Sequence, residues 1–163
     1  MAQVGSHSTR HRGRRYFGLL KLGLRLFSVA HTALYRLTGG RFVGRLTPTA
    51  PTLLLTTIGR KSGKARTVPL IYLADGEAVV IVGSMGGAAT HPDWWHNLRA
   101  EPIAQVTIGG RTRHVRAEEA RGAERERLWS RLVEIFPSFT SYQRATSREI
   151  PVVILQRVAE QRR

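Results

Sequence analysis

Three absences in the 163-residue sequence limit what the protein can be. Cysteine is absent, which excludes disulfide bonds, thiolate nucleophiles and zinc–thiolate sites. No uncharged apolar run reaches the ~20 residues that a membrane-spanning helix requires. Acidic residues are absent from the first 74 positions, because the first carboxylate in the chain is Asp75. The apolar fraction of 42% is nevertheless sufficient for a buried core, so a folded domain is expected.

The lack of early acidic residues makes the first part of the chain strongly basic. The chain has 26 Lys and Arg against 11 Asp and Glu, a net charge of +15. Residues 1–74 contain 13 basic residues and no acid, whereas residues 75–163 contain 13 basic residues and all 11 acids, so the two parts carry +13 and +2. This asymmetry indicates an anionic partner, which could be nucleic acid, a membrane surface or a phosphorylated ligand.

Residues 1–46 are predicted to form a basic tail followed by an amphipathic helix. Between residues 16 and 37, apolar side chains cover most of the circumference of a helix and leave one narrow polar stripe, which contains Lys21, Arg25 and Arg36. A core-facing helix needs a much narrower apolar arc than this one has. The segment is therefore unusual for a simple surface helix.

Two interpretations of this helix stay open. It is either a buried helix that exposes one basic stripe, or an interfacial helix through which residues 10–37 contact an anionic membrane. An export signal is disfavoured, because the basic residues of the stripe fall where such a signal is uncharged. We therefore expect a cytoplasmic protein, with peripheral association at the inner face of the membrane under the second interpretation.

Residues 47–163 are predicted to form one α+β domain that is mainly β. Short apolar or alternating runs predict six strands, at residues 52–58, 67–74, 77–84, 103–108, 111–117 and 150–158. Helices are predicted at residues 91–100 and 120–136. Asp75-Gly76 predicts a type I′ hairpin turn, and Gly109-Gly110 predicts a second hairpin. Hairpin order without parallel βαβ units predicts an antiparallel sheet that closes into a small barrel.

The loop between the first two strands is a candidate anion site. Its sequence, GRKSGKAR, contains Arg60, Lys61, Lys64 and Arg66 together with two glycines. Arginine binds phosphate and carboxylate groups bidentately, and glycine lets backbone N–H groups approach an anion. The same composition also fits a solvated hairpin turn, so the loop alone does not decide between the two.

A second candidate anion site is the turn from Gly83 to Ala88. It follows a strand and precedes a helix, so it exposes backbone amides at a glycine-rich corner. Ser84 is the one hydroxyl within it. Trp94 and Trp95 begin the following helix, and each taken singly is more typical of core than of a ligand site.

Metal binding is not expected from the histidines near this turn. His91 and His96 are five residues apart, which differs from the i, i+4 spacing of zinc sites on helices. No cysteine is available to support them.

An aromatic motif lies near the C-terminal end, at FPSFTSYQ. Phe136, Phe139 and Tyr142 recur every three residues, as on one face of a short helix. The pattern by itself favours a core stripe.

Taken in order, these segments resemble the deazaflavin-dependent nitroreductase family of actinobacteria. The resemblance rests on residues 53–102, from LLLTTIGRKSGKARTVPL to HPDWWHNLRAEP, and on the tail FPSFTSYQ…REIPVVI. It implies a split β-barrel that binds coenzyme F420, whose phosphate and polyglutamate tail are polyanionic. It also implies an F420H2-dependent reductase that transfers a hydride from the reduced coenzyme to an apolar electrophilic acceptor, for which a quinone is our candidate.

The resemblance also assigns residues to roles. The implied coenzyme-binding residues are Arg60, Lys61, Ser62, Gly63, Lys64, Arg66, Pro69, Leu70, Ile71, Gly83, Ser84, Met85, Gly86, Gly87, Trp94, Trp95 and Asn97. The implied substrate pocket consists of Ile71, Tyr72, Phe136, Phe139 and Tyr142. The implied proton donor to the acceptor is the hydroxyl group of Ser84 or of Tyr142. No metal is implied for the reaction.

Several positions depart from the family pattern. Well-studied members have tyrosines where this sequence has Phe136 and Phe139, and only Tyr142 keeps a hydroxyl in that motif. Ile71 replaces a tyrosine next to the ring, and Met85 replaces a lysine. The resemblance therefore predicts coenzyme binding more firmly than it predicts the acceptor, and it does not favour nitroimidazole reduction.

Two alternative functions remain at this point. The same barrel could hold flavin mononucleotide or haem in place of the deazaflavin. The net charge alone would also fit a nucleic-acid-binding protein, but this leaves the Gly83–Ala88 turn without a role. We therefore expect no specific nucleic-acid partner.

Overall fold

The computed structural model describes residues 45–47, by their backbone, and residues 50–158. The predicted N-terminal helix and the proposed membrane contact at residues 10–37 lie outside the described residues. The strands are β1 (Arg45–Thr47), β2 (Ala50–Ile58), β3 (Ala65–Asp75), β4 (Ala78–Val82), β5 (Ile103–Ile108), β6 (Arg111–Glu119) and β7 (Val152–Arg157). The helices are α1 (Asp93–Ala100), α2 (Gly122–Ile135) and α3 (Ser138–Arg144), and a 3₁₀ turn spans Met85–Gly87.

Strands β2 to β7 close into a six-stranded antiparallel barrel. The strand order is β2-β3-β4-β7-β6-β5, and β5 pairs back to β2 with Val106 opposite Leu55. The short strand β1 pairs with β2 outside this ring. The prediction of an α+β fold built on a closed antiparallel barrel is confirmed, and β1 is an addition to the six predicted strands.

The alternation of side chains along each strand produces two separate apolar cores. In β4, Val79 and Ile81 point into the barrel, whereas Val80 and Val82 point outward. The inner core is completed by α1. The outer core lies between β3, β4 and β7 on one side and α2 and α3 on the other. Each fully buried Val or Leu contributes ~1.5–3 kcal/mol, so both faces of the sheet stabilise the fold.

The first hairpin turn differs from its prediction by one residue. Asp75 pairs with Ala78, so the two loop residues are Gly76 and Glu77. Only Gly76 has a positive φ, at 61°, which is the pattern of a type II′ turn and contradicts the predicted type I′ turn. The second hairpin is confirmed at Gly109-Gly110.

Most element boundaries shift by one to three residues from their predictions. Helix α1 begins at Asp93 because Pro92 is extended, with φ −65° and ψ 150°. Strand β4 ends at Val82, before the turn that begins at Gly83. Strand β7 begins at Val152, after Pro151, which has no N–H to donate to a neighbouring strand.

An ion-pair cluster connects helix α2 to the end of β3. Arg127 Nη2 lies 2.8 Å from Asp75 Oδ2, and Arg131 contacts the other oxygen of the same carboxylate. Arg131 also donates to the carbonyl of Ala74 at 3.1 Å. The hydrogen bond from Arg127, supported by Arg131, lowers the pKa of Asp75 to about 2.

Candidate active site

The basic loop between β2 and β3 is closed by its own backbone. Gly59 N–H donates to the carbonyl of Lys64 at 2.9 Å, and the N–H groups of Ser62 and Gly63 donate to the carbonyl of Gly59. Gly63 has φ +63°, a conformation that other residues rarely adopt. The hairpin therefore holds its cationic side chains on a defined backbone, and Arg60, Lys61, Lys64 and Arg66 are all exposed.

Within residues 50–158, carboxylates compensate little of the charge of this loop. Arg60 Nη1 lies 3.7 Å from Asp93 Oδ1, at the first residue of α1. Within residues 50–158, Lys61, Lys64 and Arg66 have no carboxylate within 4.0 Å. Three long cationic side chains without a carboxylate partner in the described part of the chain suit the phosphate or carboxylate groups of a ligand.

Asn97 fixes the start of this loop to α1. The side chain is buried, with 4% of its surface exposed. Its Oδ1 accepts the N–H of Arg60 at 3.1 Å, and its Nδ2 donates to Thr57 Oγ1 at 3.1 Å. Both ends of the carboxamide are therefore engaged by the protein, and the structure places Asn97 behind the loop as its support.

The turn after β4 forms a concave group of backbone amides. Ser84 has right-handed helical angles (φ −69°, ψ −42°), whereas Met85 and Gly86 have φ values of 48° and 64°. A right-handed residue followed by a left-handed one turns successive N–H groups toward a common point and so binds anions. Among the described residues, the N–H groups of Ser84, Met85 and Gly86 have no acceptor. We call these three amides the amide nest.

The conformation of Met85 supports a functional role for the amide nest. Within the described part of the chain, it is the one residue other than glycine with a positive φ. A left-handed conformation costs such a residue ~1–2 kcal/mol, and strain of this kind is concentrated at ligand sites.

Gly87 packs the turn against α3. A Cβ atom at this position would lie 2.8 Å from the carbonyl oxygen of Tyr142 and 2.9 Å from Cβ of Ala145, and its φ is +81°. Only glycine fits both the space and the angle. The close approach brings the backbone of Tyr142 next to the amide nest, so two segments distant in sequence meet here.

Arg148, which the sequence analysis did not select, holds the other side of the turn. Its Nη2 donates to the carbonyls of Gly83 at 3.1 Å and Ser84 at 2.8 Å, and its Nε donates to the carbonyl of Ala88 at 2.8 Å. Burial lowers the pKa of Arg148, although an arginine remains charged at neutral pH. A single arginine beside the apolar strand IPVVIL was the one signal that could have indicated it.

His91 completes the surroundings of Arg148. Arg148 Nη1 lies 3.1 Å from His91 Nδ1. A guanidinium group only donates, so Nδ1 accepts and the imidazole is neutral. Burial, followed by the charge of Arg148, lowers the pKa of His91. The His96 ring lies edge-on at 5.9 Å, and among the described residues no three metal-ligating side chains come together.

The predicted substrate-pocket residues fall into two groups. Ile71, Phe136 and Tyr142 pack as partly exposed side chains at the edge of the outer core. Phe139 lies deeper in the same cluster, 4% exposed, with its ring centroid 5.0 Å from that of Phe136. Tyr72 packs instead against the inner core, because adjacent residues of a strand face opposite sides.

The remaining residues predicted to bind the coenzyme also differ in the face of the sheet on which they lie. By strand alternation, Pro69 lies on the same face of β3 as Ile71, whereas Leu70 packs against the inner core. Trp94 and Trp95 are both buried in the inner core, 6% exposed, with their ring centroids 6.5 Å apart. The structure therefore links the loop and the Gly83–Ala88 turn through the α1 segment, packs the turn against the backbone of Tyr142, and buries the two tryptophans.

The closed barrel, the cationic loop and the amide nest define the class of protein: a small antiparallel barrel with two candidate anion-binding segments. A family model described as F420H(2)-dependent quinone reductase matches residues 28–157. The chain belongs to this family. The predicted resemblance and the predicted cofactor, reduced coenzyme F420, are thereby confirmed, and the family description specifies quinones as acceptors.

Individual relatives agree with the family assignment. An F420H(2)-dependent quinone reductase of Mycobacterium tuberculosis is 41% identical over 130 residues, which cover 78% of this chain and 87% of the relative. A solved structure of an F420-H2 dependent reductase is 40% identical, covers 65% of this chain and 94% of its own, and has a TM-score of 0.61. The haem storage protein HutZ of Vibrio cholerae, 13% identical with a TM-score of 0.51 over 66% of this chain and 82% of its own, shares the fold. The predicted split β-barrel is confirmed.

The residues present fit coenzyme F420. Its tail carries phosphate and carboxylate groups, and the loop offers three cations that have no carboxylate partner within residues 50–158. The amide nest offers three N–H donors without acceptors among the described residues. Both features suit a polyanionic ligand, because cationic side chains and convergent N–H groups bind phosphate and carboxylate groups.

Proposed function

We propose that the protein transfers a hydride from reduced coenzyme F420 to a quinone. The observation that carries the proposal is that the amide nest and the basic loop are both connected to the α1 segment, in a chain of the F420H(2)-dependent quinone reductase family. When bound, the coenzyme supplies the hydride from carbon 5 of its deazaflavin ring. The protein must then orient the reactants, exclude water and supply one proton to the acceptor.

The coenzyme tail would be held by the basic loop. Arg60 is fixed through Asn97 and Asp93 to α1, and Lys61 and Lys64 are free to adjust to phosphate or carboxylate groups. The amide nest supports a second anionic or carbonyl group at the other side of α1. Helix α1 connects the two, because His91 just before it contacts Arg148 and Asn97 within it contacts the loop.

The acceptor would lie against the partly exposed aromatic edge. Ile71, Phe136 and Tyr142 together offer an apolar surface with one hydroxyl group. Because Gly87 packs on the backbone of Tyr142, this edge borders the amide nest. Ser84 and Tyr142 carry the hydroxyl groups to which we assign proton delivery, since a positioned donor of this kind contributes ~10²–10⁴-fold to rate.

The coenzyme assignment is tested by titrating the purified full-length protein with F420, flavin mononucleotide and haem, followed by fluorescence and absorbance. We expect saturable binding of F420 at micromolar concentration and weaker binding of the other two. Tighter binding of flavin mononucleotide or haem would support the alternative barrel functions, and retention on DNA without F420 binding would support the nucleic-acid interpretation.

We further propose that residues 10–37 contact the anionic inner face of the cell membrane, where quinones reside. The support is the wide apolar arc and basic stripe of the sequence. None of the helices in the described residues is long and apolar enough to cross a membrane.

Flotation of the full chain with phosphatidylglycerol vesicles tests the membrane contact. A triple variant, Lys21→Glu, Arg25→Glu and Arg36→Glu, should lose binding. A matched control reverses three exposed arginines elsewhere, Arg99, Arg111 and Arg116, and should still float. Equal flotation of both variants, or none by the unaltered chain, would contradict the contact.

A further inference from the structure

We propose that Arg148 is a positioning residue that holds the amide nest in its coenzyme-binding orientation. The inference rests on the proposed function and assigns a role to a side chain outside the predicted site. Arg148 does not itself need to touch the coenzyme. It acts through the carbonyl groups on the opposite side of the same peptide units.

The geometry of the peptide unit explains how Arg148 orients the nest. The C=O and N–H groups of one planar trans peptide point in opposite directions. The carbonyl of Gly83 belongs to the same peptide as the N–H of Ser84, and the carbonyl of Ser84 to the same peptide as the N–H of Met85. Because Arg148 Nη2 holds both carbonyls, at 3.1 and 2.8 Å, both N–H groups point away from the guanidinium.

The turn needs such a constraint, because its backbone is strained. Met85 has φ 48°, in a region that costs a non-glycine residue free energy. Gly86 beside it is exposed, and a Cβ atom at this position would meet no heavy atom within 4 Å, so packing does not hold the turn there. Rotation of the Ser84–Met85 peptide would relieve the strain and turn an N–H of the nest away from its ligand. The Ser84 carbonyl accepts two hydrogen bonds, from the Gly87 N–H at 3.0 Å and from Arg148 at 2.8 Å. Rotation breaks both, and the bond to Arg148 is the charge-assisted one, so Arg148 adds to the resistance of the turn.

The contacts require the shape of a guanidinium group and not only its charge. Three nitrogens reach four acceptors: the carbonyls of Gly83, Ser84 and Ala88, and His91 Nδ1. A lysine ammonium is a single point and cannot span the same set. Arg148 therefore connects Gly83 and Ala88, at the two ends of the turn, to His91, which lies just before α1.

Arg125 provides a matched control. It is also a half-buried arginine that binds the backbone of the same segment, since its Nη2 donates to the carbonyl of Ile150 at 3.2 Å and its Nε contacts Glu149. It also lies over the Trp129 ring. No contact joins it to the Gly83–Ala88 turn among the described residues, so its loss should affect stability alone.

The test compares Arg148→Met, Arg148→Lys and Arg125→Met by two measurements: the Kd for oxidised F420 from fluorescence titration, and the melting temperature without coenzyme. We expect both Arg148 variants to bind F420 at least tenfold more weakly than the unaltered protein. Arg125→Met should melt at a lower temperature and keep its Kd within twofold. In steady state, the Arg148 variants should raise the KM for F420H2 by a larger factor than the KM for the quinone.

Three outcomes would overturn the inference. One is unaltered F420 affinity in either Arg148 variant, and Arg148→Lys decides this if Arg148→Met does not fold. Another is a loss of affinity in Arg125→Met equal to that in Arg148→Met, which would indicate general destabilisation. The third is an equal rise of both KM values. If the unaltered protein itself does not bind F420, the proposed function fails as well, so the two failures are distinguished.

Discussion

The side-chain oxygen of Asn97 accepts the backbone N–H of Arg60 at 3.1 Å, across 37 residues of sequence. The other end of the same carboxamide donates to Thr57 Oγ1, inside the mouth of the barrel. One buried side chain thus connects the basic loop, β2 and α1. This link explains how a short glycine-containing loop on the surface keeps the backbone of Arg60 in a fixed place.

Replacing Asn97 should therefore weaken both the fold and coenzyme binding. In Asn97→Ala, the Arg60 N–H and the Thr57 hydroxyl lose their partner, at a cost of ~1–3 kcal/mol in the free energy of unfolding. The loop also loses its anchor, so the Kd for F420 should rise several-fold. Thr57→Val is the control, because it disturbs the buried carboxamide and leaves the bond to Arg60. Denaturant unfolding and F420 titration measure the two effects, and equal affinities in both variants would contradict the anchor.

Removing charge from the basic loop should weaken coenzyme binding without unfolding the barrel. The double variant Arg60→Gln and Lys61→Gln deletes two exposed cations, so we expect a Kd for F420 at least tenfold higher and a smaller dependence on salt. The control pair, Arg111→Gln and Arg116→Gln, removes the same charge from exposed positions on β6. If both pairs change the Kd equally, only net charge matters and the loop is a solvated turn.

Acid should remove the stabilisation that Asp75 provides. Its pKa of about 2 lies below the ordinary value of 3.8, so the folded protein releases this proton more readily than the unfolded chain. The contribution is full above about pH 4 and is lost as the pH falls towards about 2. Asp75→Asn should cost ~1–2 kcal/mol at neutral pH, after allowance for solvent screening at this partly exposed cluster, and nothing near pH 2.

Urea unfolding at several pH values measures this difference. Glu126→Gln, an exposed position on α2, is the control and should be neutral throughout. A cost in Asp75→Asn that persists unchanged at pH 2 would show that the carboxylate charge is not its source.

The proton donor can be identified by removing single hydroxyl groups. Ser84→Ala or Tyr142→Phe should lower the single-turnover rate of quinone reduction by at least tenfold, with the Kd for F420 changed less than threefold. Ser141→Ala on the same helix as Tyr142 removes a hydroxyl that donates to the carbonyl of Ser138 at 2.8 Å, and should leave the rate unchanged. Full rates in both Ser84 and Tyr142 variants would exclude these hydroxyls as donors.

The sequence predicted correctly those parts of the fold that depend on short-range patterns of residues. The strand at AVVIV, next to a glycine-containing turn, and the glycine pair at Gly109-Gly110 depend on neighbouring residues only, and the structure agrees with both. The turn at Gly76-Glu77 shifted by one residue because both Asp75-Gly76 and Gly76-Glu77 contain a glycine that accepts positive φ. The sequence pattern of the turn alone does not determine the register between the two strands that it joins.

The support of the candidate site could not be predicted in the same way. Arg148 reaches the Gly83–Ala88 turn from 60 to 65 residues away, and Asn97 reaches Arg60 across 37. Neither contact leaves a periodic signal in one sequence, and the position of Arg148 beside an apolar strand does not indicate which residues it contacts. The separation of Tyr72 from Ile71 is different. Both residues lie in the predicted strand at 67–74, so strand alternation alone could have placed them on opposite faces.

The most direct test of the proposed function mixes the full-length protein with F420H2 and a water-soluble naphthoquinone and follows the return of oxidised deazaflavin absorbance. We predict protein-dependent oxidation that saturates with both reactants, one F420 formed for each quinone reduced, and a raised KM for F420H2 alone in the Arg60→Gln, Lys61→Gln variant. Oxidation no faster than in the absence of protein, with F420 bound, would contradict quinone reduction as the function.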